Sequence, residues 1–282
     1  MSDSDRLFDR LDQLLDRLER LIPPSVPAEP DWSYRGYRWK ERHLQPITAI
    51  DRVDPGELLH IDRQATQLQR NTEQLLAGLP ANNALLWGAR GTGKSSVIKS
   101  LMTRFENSEL CMVEVSKQDS DTLSELIALL ARDPRPYIIY MDDLSFEAED
   151  ESYKSLKAVL EGSIQAQPDN IVIYATSNRR HLMPERMQDN LDSRMEDGQL
   201  HPSDAIEEKI SLSDRFGLWL SFHPFTQAQY LDVVELALKR LGLEMDEHAT
   251  THALRFATQR GSRSGRIAHQ FATWWLGAKK DA

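Results

Sequence analysis

The sequence predicts an α/β protein with a parallel sheet covered on both faces, followed by a smaller all-helical part. Short apolar runs that resemble buried strands alternate with helical segments up to residue 222. This alternation is typical of parallel sheets, in which each crossover helix packs on one face. From Thr226 onward the strand-like runs stop and three helical periods follow. We therefore predict a three-layer α/β/α fold with a five-stranded parallel sheet and a small C-terminal helical domain.

The composition limits the class of protein. The chain has 282 residues, of which 40% are apolar, enough for a sizeable core. Its one cysteine, Cys111, lies in an apolar run, which excludes a disulfide framework and favours a reducing compartment. No stretch approaches the roughly 18 apolar residues of a membrane helix, and the acidic N-terminus lacks the apolar core of a signal peptide. We expect a cytoplasmic protein without a membrane partner.

Three patterns precede the first predicted strand. Leucines at helical spacing across residues 7–22 predict an amphipathic helix that either joins subunits or partners, or docks on its own domain. A proline-rich stretch at 23–30 ends this helix and predicts a linker. The aromatic and basic run at 32–40 has the side chains to stack on nucleic-acid bases, but packing on the following domain is the favoured interpretation.

The remaining elements follow in chain order. Helical periods predict helices over residues 58–78 and 94–105, before and after the first strand. The five strands are predicted at 84–87, 111–115, 137–141, 171–175 and 218–222, and the C-terminal helices at 228–241, 246–259 and 265–276. We predict three parts with bounds 1–30 for the helix and linker, 31–225 for the α/β domain and 226–282 for the helical domain.

A glycine-rich loop follows the first predicted strand. The run GARGTGKSS, residues 88–96, fits the pattern G-x-x-x-x-G-K-[ST] of a phosphate-binding loop. Its glycines let successive backbone N–H groups point at phosphate oxygens, and the following helix adds the positive end of its dipole. Lys94 is predicted to neutralise the β and γ phosphates, and Ser95 to hold Mg²⁺. The predicted nucleotide-binding residues of the loop are Gly88, Ala89, Arg90, Gly91, Thr92, Gly93, Lys94, Ser95 and Ser96.

A second part of the same site is expected at the end of another strand. Asp142 directly follows the apolar run YIIYM. From this position a carboxylate reaches Mg²⁺ through its coordination shell. Because the carboxyl ends of parallel strands meet at one edge of a sheet, we predict that Asp142 lies beside the phosphate loop. Ser95 and Asp142 are the predicted metal-binding residues.

The two motifs together resemble those of the AAA+ ATPases, and the resemblance covers residues 58–276. Asn178, in YATSN, resembles the sensor 1 residue, which positions the attacking water in that family. Arg215, in LSDRFG, resembles the arginine finger, which reaches the nucleotide of a neighbouring subunit. In GSRSGRIAHQF, Arg266, or alternatively Arg263, resembles the sensor 2 arginine, which couples the helical lid to the nucleotide.

The resemblance implies an ATP-binding and ATP-hydrolysing enzyme that uses Mg²⁺ and assembles as a homo-oligomeric ring, with the hexamer as a candidate size. Within the AAA+ proteins the whole chain looks most like a bacterial group of predicted ATPases without an assigned cellular role. The resemblance therefore implies a mechanism of ATP hydrolysis but does not identify the partner on which the protein acts. The implied catalytic residues are Lys94, Asp142, Asp143, Asn178 and Arg215.

Asp143 departs from the family pattern. The residue after the magnesium-binding acid is usually Glu, which orients the attacking water. Asp offers the same carboxylate on a stem one methylene shorter, and a misplacement of about an ångström can cost roughly a hundredfold in rate. Glu147 is a second candidate base if its segment turns as a helix, and a solvated acid is the alternative. We expect slow hydrolysis that depends on assembly.

Two functions from different classes remain open on the sequence. The first is an oligomeric ATPase that remodels an unidentified protein or nucleic-acid partner. The second is a nucleotide-gated loader or switch on DNA or protein, in which hydrolysis only resets the assembly. The net charge of -10 favours a protein partner, whereas the acid-free basic stretch 249–280 favours DNA. A GTPase or small-molecule kinase shares the phosphate loop, but the sequence lacks the N-K-x-D element for guanine.

Overall fold

The computed structural model describes residues 29–146, 151–161, 168–180, 182, 194–196, 199–201 and 212–280. The helix predicted over 7–22, most of the predicted linker and the candidate base Glu147 lie outside these residues. None of the helices in the described part is both long and apolar enough to cross a membrane.

A seven-stranded sheet forms the centre of the molecule. Its strands lie in the order β2-β1-β4-β5-β6-β3-β9, and all neighbours are parallel except the β1–β2 hairpin. The strands β7 and β8 pair separately as a short antiparallel ribbon. In chain order the strands are β1 (Gly36–Lys40), β2 (His43–Pro46), β3 (Ala84–Gly88), β4 (Cys111–Val115), β5 (Tyr137–Met141), β6 (Ile171–Ser177), β7 (Arg194–Glu196), β8 (Gln199–His201) and β9 (Leu218–Phe222).

All five predicted strands are present and the predicted fold class is confirmed, but the sheet has seven strands rather than five. The two additional strands, β1 and β2, come from the segment that begins with the aromatic and basic run. Tyr37 and Trp39 are buried, while Arg38 and Lys40 on the opposite face of β1 are exposed. The run therefore packs on the domain, as the sequence favoured, and does so as a half-buried strand.

Helices cover both faces of the sheet. One face carries α1 (Asp62–Leu76) and α2 (Lys94–Arg104), and the other carries α3 (Leu123–Leu130) and α4 (Glu151–Glu161). Because side chains alternate along a strand, Leu85 of β3 joins one core and Leu86 joins the other. The helix predicted over 58–78 begins later, since the 3-10 turn Pro55–Glu57 and a left-handed His60 precede it.

Three helices follow the sheet and enclose a hydrophobic core of their own. They are α5 (Gln227–Arg240), α6 (Glu247–Gln259) and α7 (Gly265–Lys280), within a residue of the predicted starts. Thr226 caps α5 through a reciprocal bond with Gln229, and Asp246 caps α6. Tyr230 and Phe271 are fully buried in their shared core. The domain bounds near residues 30 and 225 stay a prediction.

The β1–β2 hairpin is attached by side chains as well as by its ladder to β4. The guanidinium of Arg35 donates to the carbonyl groups of Phe105, Glu106 and Leu110, which lie between α2 and β4. The indole N–H of Trp39 donates to Thr122 Oγ1 at 2.8 Å. These hydrogen bonds from half-buried Arg35 and buried Trp39 to neighbouring elements make the hairpin an integral part of the sheet.

Gly88 ends β3 at a position that excludes any larger residue. Its φ is 135°, and an added Cβ would lie 1.9 Å from the carbonyl oxygen of Phe222, which the β3–β9 ladder holds in place. We expect Gly88→Ala to lower the free energy of unfolding by more than about 2 kcal/mol, because backbone strain alone costs about 1–3 kcal/mol. Denaturant unfolding measures the change. Gly277→Ala, where nothing lies within 4 Å in α7, is the matched control and should be neutral or slightly stabilising; equal losses would contradict the prediction.

Candidate functional site

The loop between β3 and α2 has the backbone of a phosphate cradle. Gly88, Gly91 and Gly93 all adopt positive φ, a region that glycine reaches without steric cost. Gly93 is the N-cap of α2 and no side chain caps that helix end, so the first N–H groups of α2 stay available to a ligand. Thr92 Oγ1 donates to the carbonyl of Ala89 at 2.8 Å and closes the loop.

The side chain of Lys94 lies buried at the mouth of this loop. Its Nζ donates to the carbonyl oxygens of Gly88 at 2.8 Å and Ala89 at 2.7 Å, and to Asn178 Oδ1 at 3.1 Å. Burial lowers the pKa of Lys94, and the carboxylates of Asp143 and Asp142 act against that shift. All three acceptors are neutral oxygens, so the ammonium group is held in place without a direct carboxylate partner. An anion bound by the loop would replace one of these acceptors and contact the charge directly.

Asp142 is held beside the loop by two hydroxyl groups. Its Oδ1 accepts from Ser95 Oγ at 2.7 Å and from Thr176 Oγ1 at 2.6 Å. Burial acts to raise the pKa of Asp142, but the hydrogen bonds from Thr176 and Ser95 outweigh it and hold the pKa below its ordinary value. Asp142 is therefore ionised at neutral pH. A carboxylate next to a hydroxyl group is a donor set that suits Mg²⁺.

Asp143 is fixed by its backbone and by Asn178. Its φ is 51°, a left-handed conformation that Asp tolerates better than most residues, and its N–H donates to Thr176 Oγ1 at 2.8 Å. Asn178 Nδ2 donates to Asp143 Oδ1, while the amide oxygen of Asn178 accepts from Lys94. The amide group of Asn178 thus bridges the loop lysine and the second aspartate.

A cleft of about 470 Å³ lies between the phosphate loop and the C-terminal helices. Its polar lining contains the loop, the two aspartates and Asn178. The helical part contributes Gly265, Arg266 and His269. The cleft therefore offers both charged and apolar surface to a ligand. We call its apolar lining residues the apolar wall: Leu58, Leu59, Ile61, Phe225 and Val233.

The first turn of α7 packs directly on the phosphate loop. The N–H of Arg266 donates to the carbonyl of Gly91 at 3.4 Å. A Cβ on Gly91 would lie 2.8 Å from Ser264 Oγ, so the absence of a side chain there permits the close approach. The phosphate loop and the start of α7 are therefore in direct contact.

Most predicted site residues meet in this cleft, but not all of them. Its lining includes residues 90–96, both aspartates, Asn178 and Arg266, whereas Gly88 and Ala89 contribute only the carbonyl groups that hold Lys94. Arg263 is exposed outside the lining. Arg215 also lies outside it, where it contacts Glu161 Oε1 at 3.2 Å.

Sequence reasoning missed one polar residue at the centre of the site. Thr176 contacts both aspartates, through Asp142 Oδ1 and the N–H of Asp143. A signal was present, because Thr176 precedes Asn178 by two positions in YATSN and side chains two apart on a strand point to the same face. His269 and the apolar wall had no comparable motif.

A protein-family model matches almost the whole chain. The family model described as "Protein of unknown function (DUF815)" matches residues 32–279. No curated protein matches the sequence at a significant level.

Solved structures with the same fold share little sequence identity. A single-residue variant of Thermotoga maritima RuvB aligns with a TM-score of 0.51 and 14% identity, covering 75% of this chain and 60% of that one. Aeropyrum pernix ORC1 in complex with DNA aligns with a TM-score of 0.52 and 17% identity, covering 74% and 57%. The FIGL-1 AAA domain in complex with ADP gives 0.52 and 14%, covering 83% and 76%. The chain thus spans about three-fifths of the RuvB and ORC1 chains, and these likenesses establish an AAA+ fold.

Proposed function

We infer the function of this chain from two premises: it belongs to the DUF815 family of proteins of unknown function, and its fold is that of the AAA+ ATPases. We propose that it binds ATP with Mg²⁺ and hydrolyses it slowly when subunits assemble. The single observation that carries the proposal is the convergence of Lys94, Ser95, Asp142 and Asn178 on one glycine-cradled cleft. Nucleotide state would then be coupled to the remodelling of a partner.

The polar and apolar lining residues of the cleft suit the phosphates and the base of ATP, respectively. Free N–H groups at the start of α2 and the ammonium of Lys94 would receive the phosphates. The apolar wall, which includes Phe225 and Leu58, would receive the base. Arg266, at the start of α7, would contact the nucleotide from the helical side.

Mg²⁺ fits the site as a partner of the nucleotide. Within the described residues no group of three or more His, Cys, Asp and Glu side chains could hold a metal ion alone. Ser95 and Asp142 would supply two oxygen ligands, an arrangement that suits Mg²⁺ because this ion is usually completed by phosphates and water. When bound, Mg²⁺ would neutralise charge on the phosphates.

Asp143 is our candidate for the group that orients the attacking water. Thr176 fixes its backbone, and Asn178 fixes its carboxylate relative to Lys94. The short stem keeps this carboxylate close to its own backbone, which supports slow turnover. Arg215 would act on the nucleotide of a neighbouring subunit in a homo-oligomeric ring, since it does not line the cleft of its own chain.

The alternative is a nucleotide-gated loader or switch with little hydrolysis of its own. It is favoured by the hydrogen bond from Asn178 to Asp143 Oδ1, which competes with water for one oxygen of the proposed general base. In this alternative, ATP would set the contact between the loop and α7, and through it the affinity for DNA or protein.

ATP hydrolysis per subunit, followed across a wide range of protein concentration, tests the proposal. We expect turnover to rise with concentration and to collapse in Asp143→Asn, by roughly a hundredfold or more, because the oriented carboxylate is lost. Asp143→Glu tests the stem length: a faster enzyme would mean that the shorter acid limits the rate. Asp121→Asn, at an exposed position outside the cleft, is the control. Tight ATP binding without turnover at any concentration would exclude the ATPase and favour the switch.

A further inference from the structure

The C-terminal helices carry exposed arginines without acidic partners. Arg255, Arg260, Arg263 and Arg266 are all exposed, and none forms an ion pair with another described residue. Some arginines before residue 249 do have acidic partners: Arg135 pairs with Asp133, and Arg240 of α5 pairs with Asp54 and Glu57. The stretch 249–280 contains no acid, although the whole chain has a net charge of -10. The stretch 249–280, in α6 and α7, therefore presents a local positive field on an acidic protein.

An exposed indole lies on the same helices. Trp274 of α7 is 48% exposed and is one of three exposed large apolar side chains in the described part. Its ring stacks on Phe256 of α6, with centroids 5.9 Å apart and planes at 29°. The guanidinium of Arg260 lies over the same phenyl ring, 5.3 Å from the Phe256 centroid. A cation and a flat, accessible ring are thus joined through Phe256.

A shallow groove connects this indole to the nucleotide cleft. It is lined by Arg266, His269, Gln270, Thr273 and Trp274. Arg266 and His269 line the nucleotide cleft as well. We call Arg260 together with these five residues the α7 surface. It begins at the cleft and ends at Trp274.

We propose that the α7 surface binds single-stranded nucleic acid. Unpaired guanidinium groups contact phosphates well, and an exposed indole offers a face on which an unstacked base can lie. In a double helix the bases are stacked on one another, so no base face is free to stack on Trp274. An acidic protein segment would pair with the arginines but would offer no flat ring to stack on the indole of Trp274.

Because the α7 surface shares residues with the nucleotide cleft, we expect bound ATP to change its affinity for the strand, an effect we call nucleotide control. If Arg266 turns toward bound ATP, it leaves the α7 surface, and the affinity for the strand falls. This control rests on the proposed function, whereas strand binding itself does not. The two are therefore separable by experiment.

Fluorescence anisotropy tests strand binding. The probe is a labelled single-stranded oligothymidylate, titrated without nucleotide at several salt concentrations. We expect binding that weakens as salt rises. Trp274→Ala should weaken it by between about fivefold and a hundredfold, the range produced by losing one base stack, and Trp274→Phe should retain part of it. Arg260→Ala should lower the salt slope by about 0.7 for each phosphate that Arg260 neutralises. Arg70→Ala, an exposed arginine of α1, is the matched control and should bind as the unaltered chain does.

Three outcomes would overturn the proposal. One is the absence of binding at low salt, and another is equal affinity in Trp274→Ala and Arg70→Ala. The third is a change in the sedimentation of Trp274→Ala without a change in oligonucleotide binding, which would make the α7 surface a contact between subunits. ATP hydrolysis measured on the same variants should be unchanged, so a failure of strand binding is distinguishable from a failure of the ATPase.

Nucleotide control is tested by repeating the titration with ATP and Mg²⁺. The affinity of the unaltered chain for the oligonucleotide should fall on ATP addition, while that of Lys94→Ala, which lacks the loop cation, should stay constant. Equal affinities with and without ATP in the unaltered chain would overturn the link between the cleft and the α7 surface.

Discussion

Lys94→Ala is expected to abolish ATP binding at working concentrations and turnover with it. The ammonium group lies at the mouth of the phosphate loop and has only neutral acceptors, so its removal leaves the bound phosphates without their direct cation. Losing one partner of a buried charge pair costs about 3–5 kcal/mol, which is an affinity loss of a hundredfold or more. Isothermal titration with ATP and Mg²⁺ measures it directly.

Two further variants keep this experiment interpretable. Lys94→Met retains the apolar stem and should lose ATP binding equally while unfolding like the unaltered chain. Arg104→Ala, at the exposed far end of the same helix α2, should bind ATP normally. If Lys94→Met binds and turns over ATP as Arg104→Ala does, the loop is not a phosphate site and the proposed function is wrong.

Arg215→Ala is expected to spare ATP binding and to reduce turnover by about a thousandfold or more, the range seen when a finger in trans is lost. In the structure Arg215 is 47% exposed and lies outside its own cleft, in contact with Glu161. Exposed ion pairs are worth about 1 kcal/mol or less. A neighbouring subunit's nucleotide could therefore recruit this guanidinium at little cost.

Mixing two inactive variants tests whether the arginine acts between chains. A site that takes Asp142 from an Arg215→Ala subunit and Arg215 from an Asp142→Asn neighbour is complete, so the mixture should recover part of the turnover. Glu161→Gln is the matched control, because it releases Arg215 without removing it and should keep or raise the rate. An active Arg215→Ala chain, or a mixture that assembles and stays inactive, would refute the finger.

The predictable part of the fold was its apolar, repetitive part. Strands such as Tyr137–Met141 are buried on both faces and appear in the sequence as continuous apolar runs with sharp ends. The β1 strand was missed because only alternate residues, Tyr37 and Trp39, are buried and its other face carries charge. The start of α1 was misplaced because a left-handed His60 interrupts a pattern that apolar spacing alone continues.

The site, like the fold, has a part that a local sequence motif predicts and a part that depends on contacts between distant residues. The loop residues are contiguous, so their roles follow from one motif. The contact between Lys94 and Asn178 joins residues 84 positions apart, and it depends on β3 and β6 being neighbours in the sheet. The sequence favoured Arg266 over Arg263 but left both open, and only the packing of α7 on Gly91 brings Arg266 into the cleft lining while Arg263, before the helix, stays outside. The positive φ of Asp143 has no sequence signature that we could recognise.

The β1–β2 hairpin also limits how the chain can be shortened. Its first strand covers the edge of β4, whose residues CMVEV are almost entirely apolar. A fragment trimmed to begin after residue 50 would uncover this edge and remove the anchors of Arg35 and Trp39. Uncovered apolar edges pair with edges of other molecules, and aggregation follows. The smallest stable unit that carries the glycine-rich loop therefore includes a segment that lies more than 40 residues before that loop.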